Sequence, residues 1–120
     1  MTKKSPQKNT IHGMRTVDPR TLPWIPIAKG VTIKTLVHDK KKNQVLSIFK
    51  FKKGTYLTPH KHASLEWMYV LEGVYQDEFS TLPKGRLKIN HKGSVHTSRS
   101  SRGCTLLVLW NGKHIPYEIS

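Results

Sequence analysis

The sequence is short of cysteine, of acidic residues and of long apolar runs. Its single cysteine, Cys104, has no partner in the chain, so an internal disulfide is excluded. This usage is typical of a reducing compartment, and we expect a cytoplasmic protein. No apolar run approaches the roughly 20 residues of a membrane span, and no apolar segment follows the basic residues 1–10. We therefore expect neither a membrane span nor a secretory signal.

The scarcity of acidic residues leaves the chain strongly basic. Seven Asp and Glu residues oppose 21 Lys and Arg, which gives a formal net charge of +14. The excess is concentrated in residues 21–61, which include Lys40-Lys41-Lys42 and the lysines of 50–53. Such runs attract polyanions, and they also form ordinary solvated surfaces. No nucleic-acid-binding motif accompanies them, so we do not expect nucleic acid to be a partner.

Helical periodicity is also missing. No segment keeps an apolar repeat of helical period over three turns, whereas short alternating segments recur between turn residues. This pattern predicts an all-β sandwich or barrel. The predicted strands are 31–37, 44–51, 56–60, 65–71, 74–80, 86–90, 104–110 and 115–119, with an extended edge segment at 22–27. Turns are predicted at Gly73, at 83–85 and at 93–94.

The length of 120 residues predicts one domain. Residues 1–20 are polar and basic and are predicted to form a flexible N-terminal tail, which leaves 21–120 as the folded domain. Within the strand 65–71, alternation places Met68 and Val70 on the face of Glu66. Trp67 and Tyr69 face the other way, which predicts a contact between subunits and hence a homodimer.

A group of metal-ligating residue types stands between two glycines. Gly54 and Gly73 bracket His60, His62 and Glu66. Histidines at i and i+2 project from one face of a strand, and a glutamate four residues later can face the same space from the returning strand. Two imidazoles and a carboxylate suit zinc, iron, manganese, nickel or cobalt. Taken singly, the histidines would be better explained as surface or hydrogen-bonded residues. Glu66 opens an apolar strand, where a cation would offset the cost of burying an unpaired carboxylate.

These spacings resemble the first motif of the cupin superfamily, in which glycine, five residues, His-x-His, three or four residues, glutamate, six residues and glycine follow one another. A second cupin motif supplies a distant histidine, and the segment Gly85–His96 resembles it. His91 stands where proline is usual, and Ser100 where asparagine is usual. The resemblance implies a single-domain jelly-roll β-barrel, also called a double-stranded β-helix, with His96 as a further ligand. At the position of the proline, His91 is expected on the surface.

A larger part of the chain, about residues 17–111, is similar to one cupin branch. That branch contains the C-terminal lobe of ChrR-type anti-sigma factors and the acetylacetone dioxygenase-like proteins. The similarity is carried by Asp18-Pro-x-x-Leu22-x-Trp24, Gly30-Val31, Leu71-Glu-Gly73, Asp77-Glu78, Gly93-Ser-x-His96 and Ser101-x-Gly103-Cys104. It implies that four ligands, namely His60, His62, Glu66 and His96, hold a divalent metal inside the barrel. ChrR-type factors carry a sigma-binding domain before the cupin, whereas a short tail precedes it here, so we do not expect an anti-sigma factor.

Two classes of function follow from such a site. The first is a divalent-metal-dependent, dioxygenase-like enzyme that acts on a small organic molecule, with Glu66 as a candidate base. The second is a non-catalytic zinc-binding module that senses a ligand or stress and reports to a partner protein. Zinc or iron is the expected metal, with manganese and nickel as alternatives. The candidates for lining the pocket are Tyr56, Met68, Arg99, Arg102 and Trp110, although exposed loop positions are the alternative for the two arginines.

Overall fold

Antiparallel strands make up most of the computed structural model, which describes residues 10–112. The strands are β1 (Thr10–Ile11), β2 (Met14–Arg15), β3 (Ile25–Ala28), β4 (Val31–Asp39), β5 (Gln44–Phe51), β6 (Thr55–Lys61), β7 (Leu65–Gln76), β8 (Thr81–Pro83), β9 (Leu87–Asn90), β10 (Val95–Ser100) and β11 (Cys104–Asn111). A single 3-10 turn at Pro19–Thr21 is the only helical element among these residues. The described residues contain no helix with the length and apolar character needed to cross a membrane.

One nine-stranded sheet curls into a nearly closed barrel. Its strands follow the order β3-β4-β5-β11-β7-β10-β6, and β8 and β9 also pair with β7. The first part of β7 pairs with β9 and β11, whereas its last residues pair with β8 and β10. The barrel thus has two walls, one containing β9 and β11 and the other containing β8 and β10. Strand β7 belongs to both, and through it the sheet folds over on itself. The prediction of an all-β, single-domain jelly-roll barrel is confirmed.

The predicted strands agree with the structure best where the sequence is most apolar. The predicted strand 44–51 is β5, which lies between β4 and β11 at the centre of a wall. The proline-containing edge segment is β3, which pairs with β4 alone. The strand predicted at 115–119 lies outside the described residues. Ahead of β3, the short hairpin of β1 and β2 falls within the predicted tail, and the tail boundary at residue 20 stays a prediction.

The turn predicted at Gly73 is wrong. Strand β7 runs through this glycine, which has φ +76° and pairs with Cys104 of β11. A Cβ at this position would collide with the carbonyl oxygen of Gly103 and the Cα of Cys104. The glycine is thus required inside a long strand, two residues after a bulge at Leu71, because the backbone of β11 leaves no room for a side chain. Residues 74–76 continue β7, and the chain turns only at 77–80.

The core fills the space between the walls. Val31, Phe51, Val70 and Leu106 are all at most 5% exposed. Burying side chains of this size stabilises the fold by about 1.5–3 kcal/mol each. The remaining members of the cluster are Met68, Tyr75, Cys104 and Val108. This packing leaves the mouth of the barrel, at the ends of β6 and β10, as the place where polar side chains gather.

The outward face of the wall formed by β5, β11, β7 and β9 is apolar. Trp67 is 45% exposed and Tyr69 40% exposed, as the alternation along β7 predicts, and Met68 and Val70 are buried beneath them. Two cross-strand rows run over this face, and we call them the outer apolar rows. They are Ile48-Leu107-Tyr69-Leu87 and Leu46-Leu109-Trp67-Ile89.

Candidate metal centre

Three histidines converge at one end of the barrel. His60 lies near the end of β6, and His96 is its cross-strand partner at the start of β10. His62 follows β6, where its backbone N–H donates to Ser94 and its carbonyl accepts from Gly93. The ligand nitrogens of the three rings lie within 4.8 Å of one another, and the Nε2 atoms of His62 and His96 are 2.7 Å apart. The three side chains are therefore positioned to bind a metal.

Backbone carbonyls fix the tautomers of two of these rings. The Nδ1 atom of His60 lies 3.1 Å from the carbonyl oxygen of Thr58, and that of His96 lies 2.6 Å from the carbonyl oxygen of Thr97. Because a carbonyl oxygen only accepts, each Nδ1 must carry the proton and donate it. Each Nε2 is then left with its lone pair, the arrangement found in metal-ligating histidines. The donor set therefore fits a divalent ion.

Burial keeps His62 and His96 neutral. Removal from water, together with the neighbouring His96, lowers the pKa of His62 to about 4. Burial also lowers the pKa of His96, against the opposing effect of its hydrogen bond to the Thr97 backbone. Neutral imidazole is the form that binds metals, so the barrel holds these rings in the binding-competent state near neutral pH.

Glu66 lies beside the three histidines, and its carboxylate is not one of the converging group. Its Oε1 atom is 3.9 Å from Nδ1 of His62 and accepts a hydrogen bond from the Asn90 side-chain amide at 2.9 Å. Burial raises the pKa of Glu66 to about 7, although Asn90 and Lys88 oppose this shift. The structure thus brings the three predicted histidine ligands together and places the predicted carboxylate next to them.

A buried polar network behind the histidines was not predicted from the sequence. The Tyr75 hydroxyl lies 3.3 Å from Nδ1 of His96 and 2.7 Å from the Ser98 hydroxyl. Asp77, whose side chain is fully buried, forms an ion pair with Lys88. In the sequence, Lys88 and Asn90 alternate with Leu87 and Ile89, a pattern that would place the apolar pair and not the polar pair in the core.

A cavity of about 540 Å³ opens beside the histidines. Its apolar wall includes Ile27, Phe49, Leu57 and Trp110, and Lys61 is the cation that borders it. A smaller void of about 50 Å³ lies deeper in the barrel and is bordered by His60, Glu66 and Met68, among others. Of the predicted lining residues, Trp110 borders the cavity and Met68 the inner void.

The other predicted lining residues lie outside the barrel. Tyr56 and Arg99 border a separate shallow cleft, and both are exposed, as is Arg102. The alternative of exposed positions for the two arginines is confirmed. His91 is exposed as predicted.

These features define a cupin barrel with three histidines placed for a metal. The family model of the ChrR cupin-like domain matches residues 12–114, and the chain belongs to that family. A comparison with curated proteins finds no match. The match to the ChrR cupin-like family confirms the cupin branch that the sequence resembles.

Solved structures with the same fold come from several bacteria. An RmlC-like cupin protein from Ralstonia eutropha is 17% identical, covers 86% of this chain and 77% of its own, and has a TM-score of 0.74. The polyketide cyclase RemF from Streptomyces resistomycificus is 22% identical over 87% of this chain and 83% of its own, with a TM-score of 0.72. The anti-sigma factor ChrR from Rhodobacter sphaeroides, solved in complex with SigE, is 23% identical over 75% of this chain and 50% of its own, with a TM-score of 0.67. At these identities the comparison shows the fold.

Proposed function

We propose that the protein is a divalent-metal-dependent, dioxygenase-like cupin enzyme that acts on a small organic molecule. His60, His62 and His96 would hold the ion, with Glu66 as the fourth ligand. The observation that supports this proposal is the convergence of three imidazoles beside an open cavity. A purely structural zinc site is usually closed, whereas a site next to a cavity leaves room for a substrate.

The cavity indicates the kind of substrate. A volume of about 540 Å³ suits a small molecule, and the wall is mostly apolar. Lys61, at its border, offers a positive charge, and Glu66 is the carboxylate among the lining residues. A mostly apolar molecule with an anionic or enolic oxygen would therefore meet a complementary surface.

The protein residues have separable roles in such a reaction. A bound ion would supply Lewis acidity and, as iron, oxidative chemistry. Glu66 is the candidate base: burial raises its pKa to about 7 without an ion, and a bound cation would favour its ionised, proton-accepting form. Phe49, Leu57 and Trp110 exclude water from the part of the cavity that adjoins the histidines.

Metal analysis is the first test of this proposal. Protein purified without chelator and without a nickel affinity column should contain close to one equivalent of iron or zinc, or else manganese or nickel. Iron-loaded protein should consume oxygen in the presence of a β-diketone or a related acid. Protein that binds no divalent ion, at any loading, would overturn the proposal.

The alternative function is a non-catalytic zinc-binding module that senses a ligand or stress and reports to a partner protein. The family of ChrR cupin-like domains and the structural likeness to ChrR favour it, because ChrR was solved in complex with SigE. A four-coordinate zinc without an exchangeable position, and no oxygen uptake with iron, would support the module over the enzyme.

We further propose that the protein is a cytoplasmic homodimer that pairs through the outer apolar rows. Trp67, Tyr69, Leu87 and Ile89 are each at least 40% exposed, and none of them carries a charge. A contiguous apolar surface of this kind marks an interaction site. Nucleic acid is not expected to bind, and a titration with duplex DNA at physiological salt tests that expectation.

A further inference from the structure

Asn90 is buried directly opposite Glu66. The two residues are cross-strand partners on β9 and β7, and Asn90 is 3% exposed. Burying a side-chain amide is costly unless it is hydrogen-bonded. An amide in this place therefore calls for a partner, and the partner in the structure is Glu66.

The direction of this hydrogen bond follows from the chemistry of the two groups. The Asn90 Nδ2 atom lies 2.9 Å from Oε1 of Glu66. The ionised carboxylate, which is the form that binds a metal, only accepts hydrogen bonds, so the amide nitrogen faces it. The bond is assisted by the charge of the carboxylate, which makes it stronger than a bond between neutral groups. The same oxygen lies 3.9 Å from Nδ1 of His62, so the bond holds the carboxylate at the edge of the histidine cluster.

Asn90 faces the inside of the barrel. Its neighbour Ile89 points outward and is 44% exposed, whereas Lys88 and Asn90 point into the barrel. An apolar side chain at residue 90 would fill the same space without a donor. The hydrogen bond to Glu66 therefore explains a polar residue at this position.

We propose that Asn90 is a positioning residue that orients the Glu66 carboxylate toward the metal centre. This inference rests on the proposed metal site. Asn90 binds Oε1 of Glu66, the oxygen 3.9 Å from Nδ1 of His62, and so restricts the rotation of the carboxylate beside the three histidines. Hydrogen-bond partners of metal ligands typically contribute about 10–100-fold to metal affinity.

The test is a double-mutant cycle on metal affinity. Cobalt and zinc dissociation constants are measured by competition for the wild type, Asn90→Leu, Glu66→Gln and the double variant. We expect Asn90→Leu to weaken binding about 10–100-fold. In the Glu66→Gln background the same substitution should change affinity by no more than about twofold, because Asn90 acts through Glu66. The cobalt absorption spectrum of Asn90→Leu should move toward that of Glu66→Gln.

Controls separate this inference from folding and from the proposed function. Gln76→Leu removes an amide that binds Ser101 on the outside of the barrel, and it should leave metal affinity and the cobalt spectrum unchanged. Thermal melting of metal-free Asn90→Leu reports whether the fold is intact, and Asn90→Asp provides a second variant of similar size if it is not. Wild-type affinity in the folded Asn90→Leu variant, or equal losses in both backgrounds, would overturn the positioning role. A wild type that binds no metal would instead overturn the metal site.

Discussion

The two faces of strands β7 and β9 are the reverse of what a simple globular protein shows. Inside the barrel, Glu66, Lys88 and Asn90 are removed from water, and outside it Trp67 and Ile89 are exposed. Burying charge and exposing aromatic surface both cost free energy for an isolated subunit. The two proposals account for this difference, the inner face by a metal centre and the outer face by a second subunit.

The strongest test of the inner face is the loss of a ligand. His62→Ala should lower metal affinity more than about 100-fold, since it removes one of three converging imidazoles. The measurement is metal content after dialysis, together with the dissociation constant by competition. His91→Ala is the matched control, because His91 is exposed and its loss should leave metal content unchanged. Equal metal content in both variants would show that the inner face does not owe its polarity to a metal.

The next test addresses the buried ion pair of Asp77 and Lys88. Asp77→Asn keeps Oδ1 as an acceptor for the backbone N–H groups of Phe79 and Ser80 but leaves Lys88 without its counter-charge. We expect a loss of about 3 kcal/mol in the free energy of unfolding, measured with urea on metal-free protein. Glu72→Gln breaks the exposed pair with Lys84 and should change stability by less than about 0.5 kcal/mol. Similar losses of unfolding free energy in the two variants would contradict the expectation that an unpaired charge costs more on the inner face than on the surface.

The outer face is tested by changing one cross-strand pair of the outer apolar rows. Trp67→Ser combined with Ile89→Ser should convert a dimer at micromolar concentration into a monomer in sedimentation velocity. Losing a central tryptophan typically costs about 2 kcal/mol of association energy, or about 30-fold in the dissociation constant. Metal content should not change, because both side chains point away from the histidines. Phe79→Ser is the control, since Phe79 is 79% exposed and lies outside the rows. A wild-type protein that sediments only as a monomer would contradict the proposed homodimer.

Much of the inner face could be predicted from the sequence because its spacing is informative. The offsets between Gly54, His60 and His62 predicted two ligands on one strand, and the second motif supplied His96, which the structure places within reach. Glycine was less informative at residue 73, since a positive φ occurs within a strand as well as at a turn. Sequence alone cannot tell which bend the chain makes.

The polar network was beyond sequence reasoning for a different reason. The alternation of Leu87, Lys88, Ile89 and Asn90 defines two faces of β9, and a hydrophobic pattern assigns the apolar pair to the core. The structure turns that pair outward and the polar pair inward. Register with β7 decides the matter, because Asn90 must lie opposite Glu66. Such pairing depends on contacts between distant segments that a single strand does not encode.

The smallest expected effect concerns the outer face of β4 and β5, where Trp24 covers two lysines. Trp24 lies over Lys34 and Lys50, with their Nζ atoms 4.5 and 5.9 Å from a Trp24 ring centroid. Trp24→Leu should lower the free energy of unfolding by about 1 kcal/mol, as expected for a cation–π contact near the surface. The same change in a Lys34→Met background should cost less, because the nearer charge is gone while the aliphatic stem remains. An equal cost in both backgrounds would mean that Trp24 covers this end by apolar contact alone. The comparison with the outer apolar rows is direct: Trp24 lies over Lys34 and Lys50 of its own chain, whereas Trp67 and Tyr69 are exposed.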